Sequence, residues 1–233
     1  MKGFQERGER TGKFFVIKRN TICEESSKEK PGFKPVEVVN PSTGEALIKF
    51  IKPYSALEAM VTKIEWRDTE DKYEQRYMSW KIHLDADGNR GVLEIPFESR
   101  ASSRFMKLAE NIDFARPVEF RAFRDPKTEG TAFFVGQREN EADEKSISVP
   151  QKYTKDNPGE CPPPVQRMGG KWNFDDQMEF LHERMINVVI PRVAAARAAF
   201  GEQTNGHSEW NERPPDEDPY ADAPPIGEDD IPF

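Results

Sequence analysis

The chain has 233 residues, of which 34 are basic and 42 acidic, so its formal net charge is −8. Hydrophobic residues make up 36% and charged residues 33%, whereas typical domains are about 45–50% apolar and about 25% charged. No apolar run approaches the roughly 18 residues of a membrane helix, no secretory signal pattern opens the chain, and two cysteines are too few for a disulfide framework. We therefore expect a cytoplasmic protein that has no membrane partner and keeps part of its chain outside the core.

The negative charge is concentrated at the C-terminal end of the chain. Residues 201–233 hold ten acidic side chains, one basic side chain and six of the 19 prolines. Residues 1–200 carry a charge balance of only +1. A proline-rich acidic segment buries too little apolar surface to offset its conformational entropy. We therefore predict a disordered acidic tail over residues 201–233.

Alternating apolar and polar residues predict a mainly β protein. A short apolar run predicts a first strand at 12–18, and the charged, proline-interrupted stretch at 20–35 predicts a loop. The strands predicted after this loop are 36–39, 45–52, 57–66, 73–84, 91–97, 117–124 and 131–138. Helical spacing of apolar residues predicts one helix among them, at 99–112.

The order of the elements from residue 57 to residue 138 is three strands, a helix and two strands. This is the order of an OB-fold, a five-stranded Greek-key barrel. We therefore predict that residues 1–149 form an OB-fold barrel with added N-terminal strands.

Two further segments follow the predicted barrel. Residues 150–173 are rich in proline and glycine, which predicts a semi-extended linker. Residues 174–200 have an apolar stripe at helical spacing, which predicts an amphipathic helix that Pro191 kinks or interrupts. The stripe leaves three alternatives open, which are packing on the body, packing on a second subunit of a homo-oligomer, and docking of a partner.

The acidic segment ends abruptly in an apolar tip. Glu228 precedes Asp229, Asp230, Ile231, Pro232 and Phe233. A terminal aromatic ring is suited to a small apolar pocket, and the neighbouring carboxylates are suited to a basic rim around that pocket.

This tip and its proline-rich acidic lead-in resemble the C-terminal end of bacterial single-stranded DNA-binding proteins. A divergent OB domain joined to such a tail resembles the bacteriophage-encoded members of that family. The resemblance covers the tail and the strand order, and it does not extend to the sequence of the body. It implies that Asp229, Asp230, Ile231, Pro232 and Phe233 bind enzymes of replication, recombination and repair.

Binding of a single strand without sequence preference needs aromatic faces for the bases and cations for the phosphates. The predicted strands place such side chains opposite the face that we assign to the core, to which Trp80 and Phe120 belong. The candidate DNA-binding residues are Lys63, Trp66, Arg67, Tyr77, Lys81, Arg121, Phe123, Phe134 and Arg138.

The sequence therefore predicts a non-catalytic single-stranded DNA-binding protein that needs no cofactor. One local motif, in which Asp85, Asp87 and Asn89 imitate the start of an EF-hand, is better explained as a turn. Arg90 stands where that motif requires glycine, and Pro96 stands in place of its bidentate glutamate. Two other functions stay open: an interaction adaptor of the replication machinery without DNA binding, and a metal-dependent nuclease built from dispersed carboxylates.

Overall fold

The computed structural model describes residues 12–18, 20–39, 46–70, 76–126, 128–140, 142–167 and 169–205, with backbone only for 201–205. The chain divides into two compact units, Met1–Ala198 and Ala199–Phe233. Only the end of a helix is described in the second unit. The predicted tail beyond residue 205, including the tip Asp229–Phe233, lies outside the described residues.

The described chain is mainly β, as predicted, with more residues in strands than in helices. The strands are β1 (Lys13–Lys18), β2 (Thr21–Ser26), β3 (Lys34–Val39), β4 (Ala46–Tyr54), β5 (Leu57–Glu70), β6 (Arg76–Ala86), β7 (Asn89–Pro96), β8 (Val118–Arg124), β9 (Thr131–Gln137), β10 (Ile147–Ser148), β11 (Val165–Gln166) and β12 (Trp172–Asn173). The helices are α1 (Arg100–Ala109), α2 (Asp175–Arg184) and α3 (Ile190–Asn205).

The turn between β6 and β7 explains the residues that imitate an EF-hand. Ala86 pairs with Asn89, so Asp87 and Gly88 alone form the loop. Both have positive φ angles, 52° and 82°, which is the backbone of a type I′ turn and the reason an Asp-Gly pair is favoured there. The Asp85 carboxylate accepts a hydrogen bond from the Gly88 N–H at 2.8 Å, and it therefore stabilises the hairpin.

Ten strands form one sheet in the order β10-β9-β8-β5-β6-β7-β1-β2-β4-β3. The start of β5 pairs with β8, and the remainder pairs with β6. A register shift between Val61 and Lys63 interrupts the β5–β6 pairing, close to the point where β5 passes from β8 to β6. A β-bulge bends and twists its strand. This shift therefore allows the long strand β5 to pair with β8 at its start and with β6 along the rest while the sheet curls.

The sheet is not closed, and the predicted OB-fold barrel is not confirmed. The predicted order of three strands, a helix and two strands is present as β5, β6, β7, α1, β8 and β9. However, the free edge of β7 is taken by β1, which pairs with it in parallel from Lys13–Gly91 to Val16–Glu94. Since a strand has only two edges, β9 has no place to pair with β7. Cα atoms of β2 still come within 8 Å of β8 across the remaining gap.

The prediction of a loop over residues 20–35 was wrong for its first part. Residues Thr21–Ser26 form β2, between β1 and β4. The charged side chains of this stretch indicated a solvent-exposed loop. In the structure, side chains from neighbouring strands neutralise them or form hydrogen bonds with them. Glu24 is 5% exposed and accepts a hydrogen bond from the Tyr54 hydroxyl at 2.8 Å.

The core lies between the inner side of the curled sheet and α1. Trp80 and Phe120 are fully buried, as predicted, and Phe105 of α1 packs against Phe120 with ring centroids 6.4 Å apart. Helix α1 begins where the Ser99 hydroxyl accepts a hydrogen bond from the Ser102 N–H at 3.1 Å, which satisfies one of the free N–H groups of the first turn.

Residues 150–173, predicted as a linker, are instead folded onto the body. Tyr153 and Cys161 belong to the buried core, and β11 and β12 form a small separate hairpin. Proline-rich composition disfavours regular strands and helices, but it does not prevent irregular backbone from packing when buried aromatic and thiol groups anchor it.

The apolar stripe of the C-terminal helical segment packs on the body. Leu181, Met185, Val189 and Val193 are all buried. Pro191 does not break the segment, because residues Met185–Val189 widen into a π-helical turn before it. The Ile190 N–H donates to the Met185 carbonyl five residues earlier, so the missing N–H of proline is accommodated without a break.

A salt bridge joins Glu110, which directly follows α1, to Arg184, the last residue of α2. The guanidinium of Arg184 donates two hydrogen bonds of 2.7 Å to the two carboxylate oxygens of Glu110. The Tyr153 hydroxyl donates a third, at 2.6 Å. The hydrogen bonds from Arg184 are the main reason that the pKa of Glu110 is lowered, and burial opposes this shift.

We expect Arg184→Ala to lower the free energy of unfolding by about 1.5–3 kcal/mol at pH 7, the range for hydrogen bonds to charged groups. Arg124→Ala, which removes an exposed pair with Glu129, is the control and should cost about 1 kcal/mol or less. The folded-state pKa of Glu110 is lowered, so its contribution is complete above the unfolded pKa and lost as pH falls through the folded one. Urea titrations from pH 7 to pH 3 should therefore show the Arg184→Ala deficit shrinking; a constant deficit would contradict this.

Candidate nucleic-acid interface

The outward side of β5, β6, β7 and β1 forms a surface that we call the sheet face. Directly paired residues lie on the same side of a sheet, and the pairs Glu65–Lys81, Arg67–Ser79 and Thr69–Tyr77 place these side chains together. The sheet face comprises Lys63, Glu65, Arg67, Tyr77, Ser79, Lys81, His83, Val92, Glu94, Phe14, Val16 and Lys18.

Four of the candidate residues, Lys63, Arg67, Tyr77 and Lys81, therefore share this face. The opposite side of β6 is in the core, where Ile82 is fully buried beside Trp80. Tyr77 is 44% exposed. The period of two along β6 is the reason that sequence reasoning assigned these side chains to the correct side.

Carboxylates hold the cations of the sheet face in place. Glu65 forms an ion pair with Lys63 and lies 2.8 Å from His83 Nε2. Hydrogen bonds from Lys63 and then His83 lower the pKa of the Glu65 carboxyl. Lys81 lies between strands that carry glutamates, yet it has no ion-pair partner among the described residues.

A second carboxylate, Glu94, lies almost buried in the middle of the face. It accepts a hydrogen bond of 2.7 Å from the Ser79 hydroxyl, and its Oε1 is 3.9 Å from Arg67 Nη1. Burial, followed by the charge of Glu94, raises the pKa of the Tyr77 phenol. Tyr77 is therefore a neutral aromatic ring with a cation, Arg67, beside it, which is the combination that stacks on a base next to a phosphate.

The sheet face extends onto β2 and β4, which the sequence did not indicate. Glu25 forms ion pairs with Lys18 and Lys49, and its side chain is only 10% exposed. Burial opposes ionisation, but the hydrogen bonds from the two lysines hold the pKa of Glu25 below its ordinary value. Glu25, which brings these two lysines together, lies in residues 20–35, which were predicted as a loop, so the cluster was missed. The alternation in β1, which buries Phe15 and leaves Phe14 on the sheet face, was the one available signal.

Four other candidates, Arg121, Phe123, Phe134 and Arg138, form a second group on the outward side of β8 and β9. Arg121 pairs with Phe134 across the strands, and its guanidinium lies 4.9 Å from the centre of the Phe134 ring. Phe123 is 47% exposed. Glu119 binds Arg121, and Glu58 binds Arg138 at 2.7 Å. The alternation was therefore predicted correctly, but both cations of this group are paired with carboxylates.

Trp66 is not brought together with the other candidates. It pairs with Trp80 and therefore lies on the inner side of the sheet, opposite Lys63 and Arg67. Its ring packs against Trp80 at 4.8 Å, Phe97 at 5.0 Å and His182 of α2 at 4.5 Å between centroids. Sequence reasoning misplaced Trp66 by grouping it with Lys63 and Arg67, although the period of two along β5 puts it on the side of Ile64.

No family model, curated protein or solved structure matches the chain. Within the described ranges, no helix is both long and apolar enough to cross a membrane. The same part of the chain contains no group of three histidine, cysteine or carboxylate side chains arranged to hold a metal ion.

We expect Tyr77→Ala and Phe123→Ala each to change the free energy of unfolding by about 1 kcal/mol or less, because both residues are nearly half exposed and neither belongs to the core. Trp80→Ala is the contrast, and it should cost about 3–5 kcal/mol because it opens a cavity in the core. Thermal melts of the three variants measure this. Unfolding of the Tyr77 variant at a much lower temperature would mean that this ring stabilises the body.

Proposed function

We propose that this chain is a non-catalytic, sequence-tolerant single-stranded DNA-binding protein that acts in the cytoplasm without a cofactor. It coats transient single strands during replication, recombination and repair, and its acidic tip recruits the enzymes of those processes. The tip supports this proposal by its resemblance to bacterial and bacteriophage single-stranded DNA-binding proteins.

The observation that carries the proposal is the arrangement of Tyr77, Arg67, Lys63 and Lys81 on one outward face. Exposed aromatic rings supply stacking for bases of any sequence, and cations beside them bind phosphates. Lys81 has no ion-pair partner among the described residues, so it can bind a phosphate without first breaking an ion pair. The other cations of the face are positioned by carboxylates and exchange those partners for phosphates.

We further propose that the body is an OB-type barrel opened by its N-terminal strands. Counted from β5, the sheet face is centred on the second and third strands, β6 and β7. In OB-folds this pair of strands forms the surface that binds oligonucleotides. The order β9-β8-β5-β6-β7, with α1 between β7 and β8, supports this assignment.

We expect tight binding to oligo-dT and much weaker binding to a duplex of the same length, as measured by fluorescence polarisation. Tyr77→Ala should weaken the binding of oligo-dT by roughly 5- to 150-fold, because base stacking contributes about 1–3 kcal/mol per base. Equal affinity for the single strand and the duplex, or affinity for neither, would contradict the proposed function. A labelled strand degraded in the presence of magnesium would indicate the nuclease instead.

Lys81→Ala should lower the slope of log Kd against log salt by about 0.7, the value for one phosphate contact on a single strand. Lys13→Ala is the matched control, because Lys13 is an exposed lysine that pairs with Gly91 and faces the other side of the sheet. A salt slope that falls equally in both variants would show that binding follows total charge and not this face.

We expect deletion of residues 225–233 to abolish capture of replication and repair enzymes while the melting temperature of the body stays unchanged. Phe233→Ala should lose most of the capture, because it removes the apolar anchor and keeps every carboxylate. Pull-downs with the intact chain, the deletion and the point variant measure this, and Ser208→Ala serves as a control within the same segment. Full capture by the Phe233 variant would mean that the tip acts only through its charge.

A further inference from the structure

The folded segment between β10 and α2 encloses a second concave surface, away from the sheet face. It is a cavity of about 530 Å³ between this segment, α1 and α2. Prolines and aromatic residues make up half of its lining residues. The lining residues that matter below are Lys107, Tyr153, Lys155, Trp172, Phe174 and Gln177.

Two aromatic rings at the mouth of this cavity are among the most exposed in the described chain. Trp172 is 58% exposed and Phe174 is 48% exposed. The small β11–β12 hairpin presents Trp172, and its turn uses Gly169 and Gly170 at φ angles of 98° and 78°, which favour glycine. Exposure of an indole ring leaves a large apolar surface in water, and this surface is suited to a flat ligand.

The charges of the cavity are positive and uncompensated. Among the residues that the structure describes, Lys107 and Lys155 line it and no carboxylate does. Neither lysine forms an ion pair with any described residue. This differs from the sheet face, where most cations are bound to glutamates. An anionic group that enters the cavity therefore meets two cations without displacing a carboxylate.

The wall of the cavity also holds a hydrogen-bond acceptor without a donor. Gln177 is only 8% exposed, and its Nε2 donates to the Pro162 carbonyl at 3.0 Å. Its Oε1 is buried and has no partner among the described residues. A buried acceptor left without a donor costs free energy, so rotation of the Gln177 amide towards a ligand N–H in the cavity is favoured.

We propose that this cavity binds one nucleotide of single-stranded DNA, with its base on Trp172 and Phe174 and its phosphate on Lys107 and Lys155. A base supplies a flat ring for the exposed faces of Trp172 and Phe174, and its phosphate meets the two lysines. The identity of the ligand rests on the proposed function. The site is additional to the sheet face, and none of its residues belongs to that face.

The test is photo-cross-linking of a 12-nucleotide strand that carries 5-iododeoxyuridine, followed by peptide mapping of the full-length protein. We expect cross-links at Trp172 as well as at Tyr77. The double variant Lys107→Ala, Lys155→Ala should lower the yield at Trp172 by at least about fivefold, the equivalent of about 1 kcal/mol, and leave the yield at Tyr77 unchanged. A Lys13→Ala variant controls for the loss of positive charge.

The outcomes separate this proposal from the proposed function. Cross-links at Tyr77 without any at Trp172 overturn the nucleotide site alone, and an absence of all strand binding overturns both. A labelled peptide of residues 225–233 tests the other class of anionic partner. If that peptide binds and Trp172→Ala abolishes its binding, while cross-linking at Trp172 is absent, the cavity is a peptide-docking site and the nucleotide proposal is wrong.

Discussion

The parallel pairing of β1 with β7 is the constraint on which the rest of the architecture depends. A strand offers two edges, and β6 and β1 occupy both edges of β7. The sheet therefore continues through β2, β4 and β3 and does not return to β9. This continuation leaves the sheet open, and it also widens the outward surface, because it adds Phe14, Lys18 and the cluster around Glu25 to the residues of β5 and β6.

Carboxylates fix the positions of the basic side chains on the sheet face and its extension onto β2 and β4. Glu25, Glu65 and Glu94 each contact basic or hydroxyl side chains from a neighbouring strand or position, and the first two have lowered pKa values as a result. Ordered cations lose less conformational entropy when a phosphate arrives than free lysines do. In the proposed function the same carboxylates compete with phosphate for those cations, which makes the binding that we propose reversible.

The C-terminal helical segment is part of the folded body through two kinds of contact. The apolar stripe ending at Val193 packs in the core, and the Glu110–Arg184 salt bridge joins α2 to α1. These contacts hold α2 on the body, and α2 places His182 against Trp66 and Gln177 in the wall of the cavity beside Trp172. The segment that separates the predicted barrel from the predicted helix thus contributes a surface of its own.

The sequence by itself determined the local features that depend on neighbouring residues. The alternation along β6 assigned Trp80 to the core and Tyr77 to the outside, and the Asp87–Gly88 pair specified a tight turn, because both depend on backbone geometry over a few residues. Tertiary structure decided which strand edges meet, that the charged residues of β2 form a strand, and that Trp66 is covered by His182. These outcomes depend on contacts between residues far apart in the chain, and no local pattern encodes them.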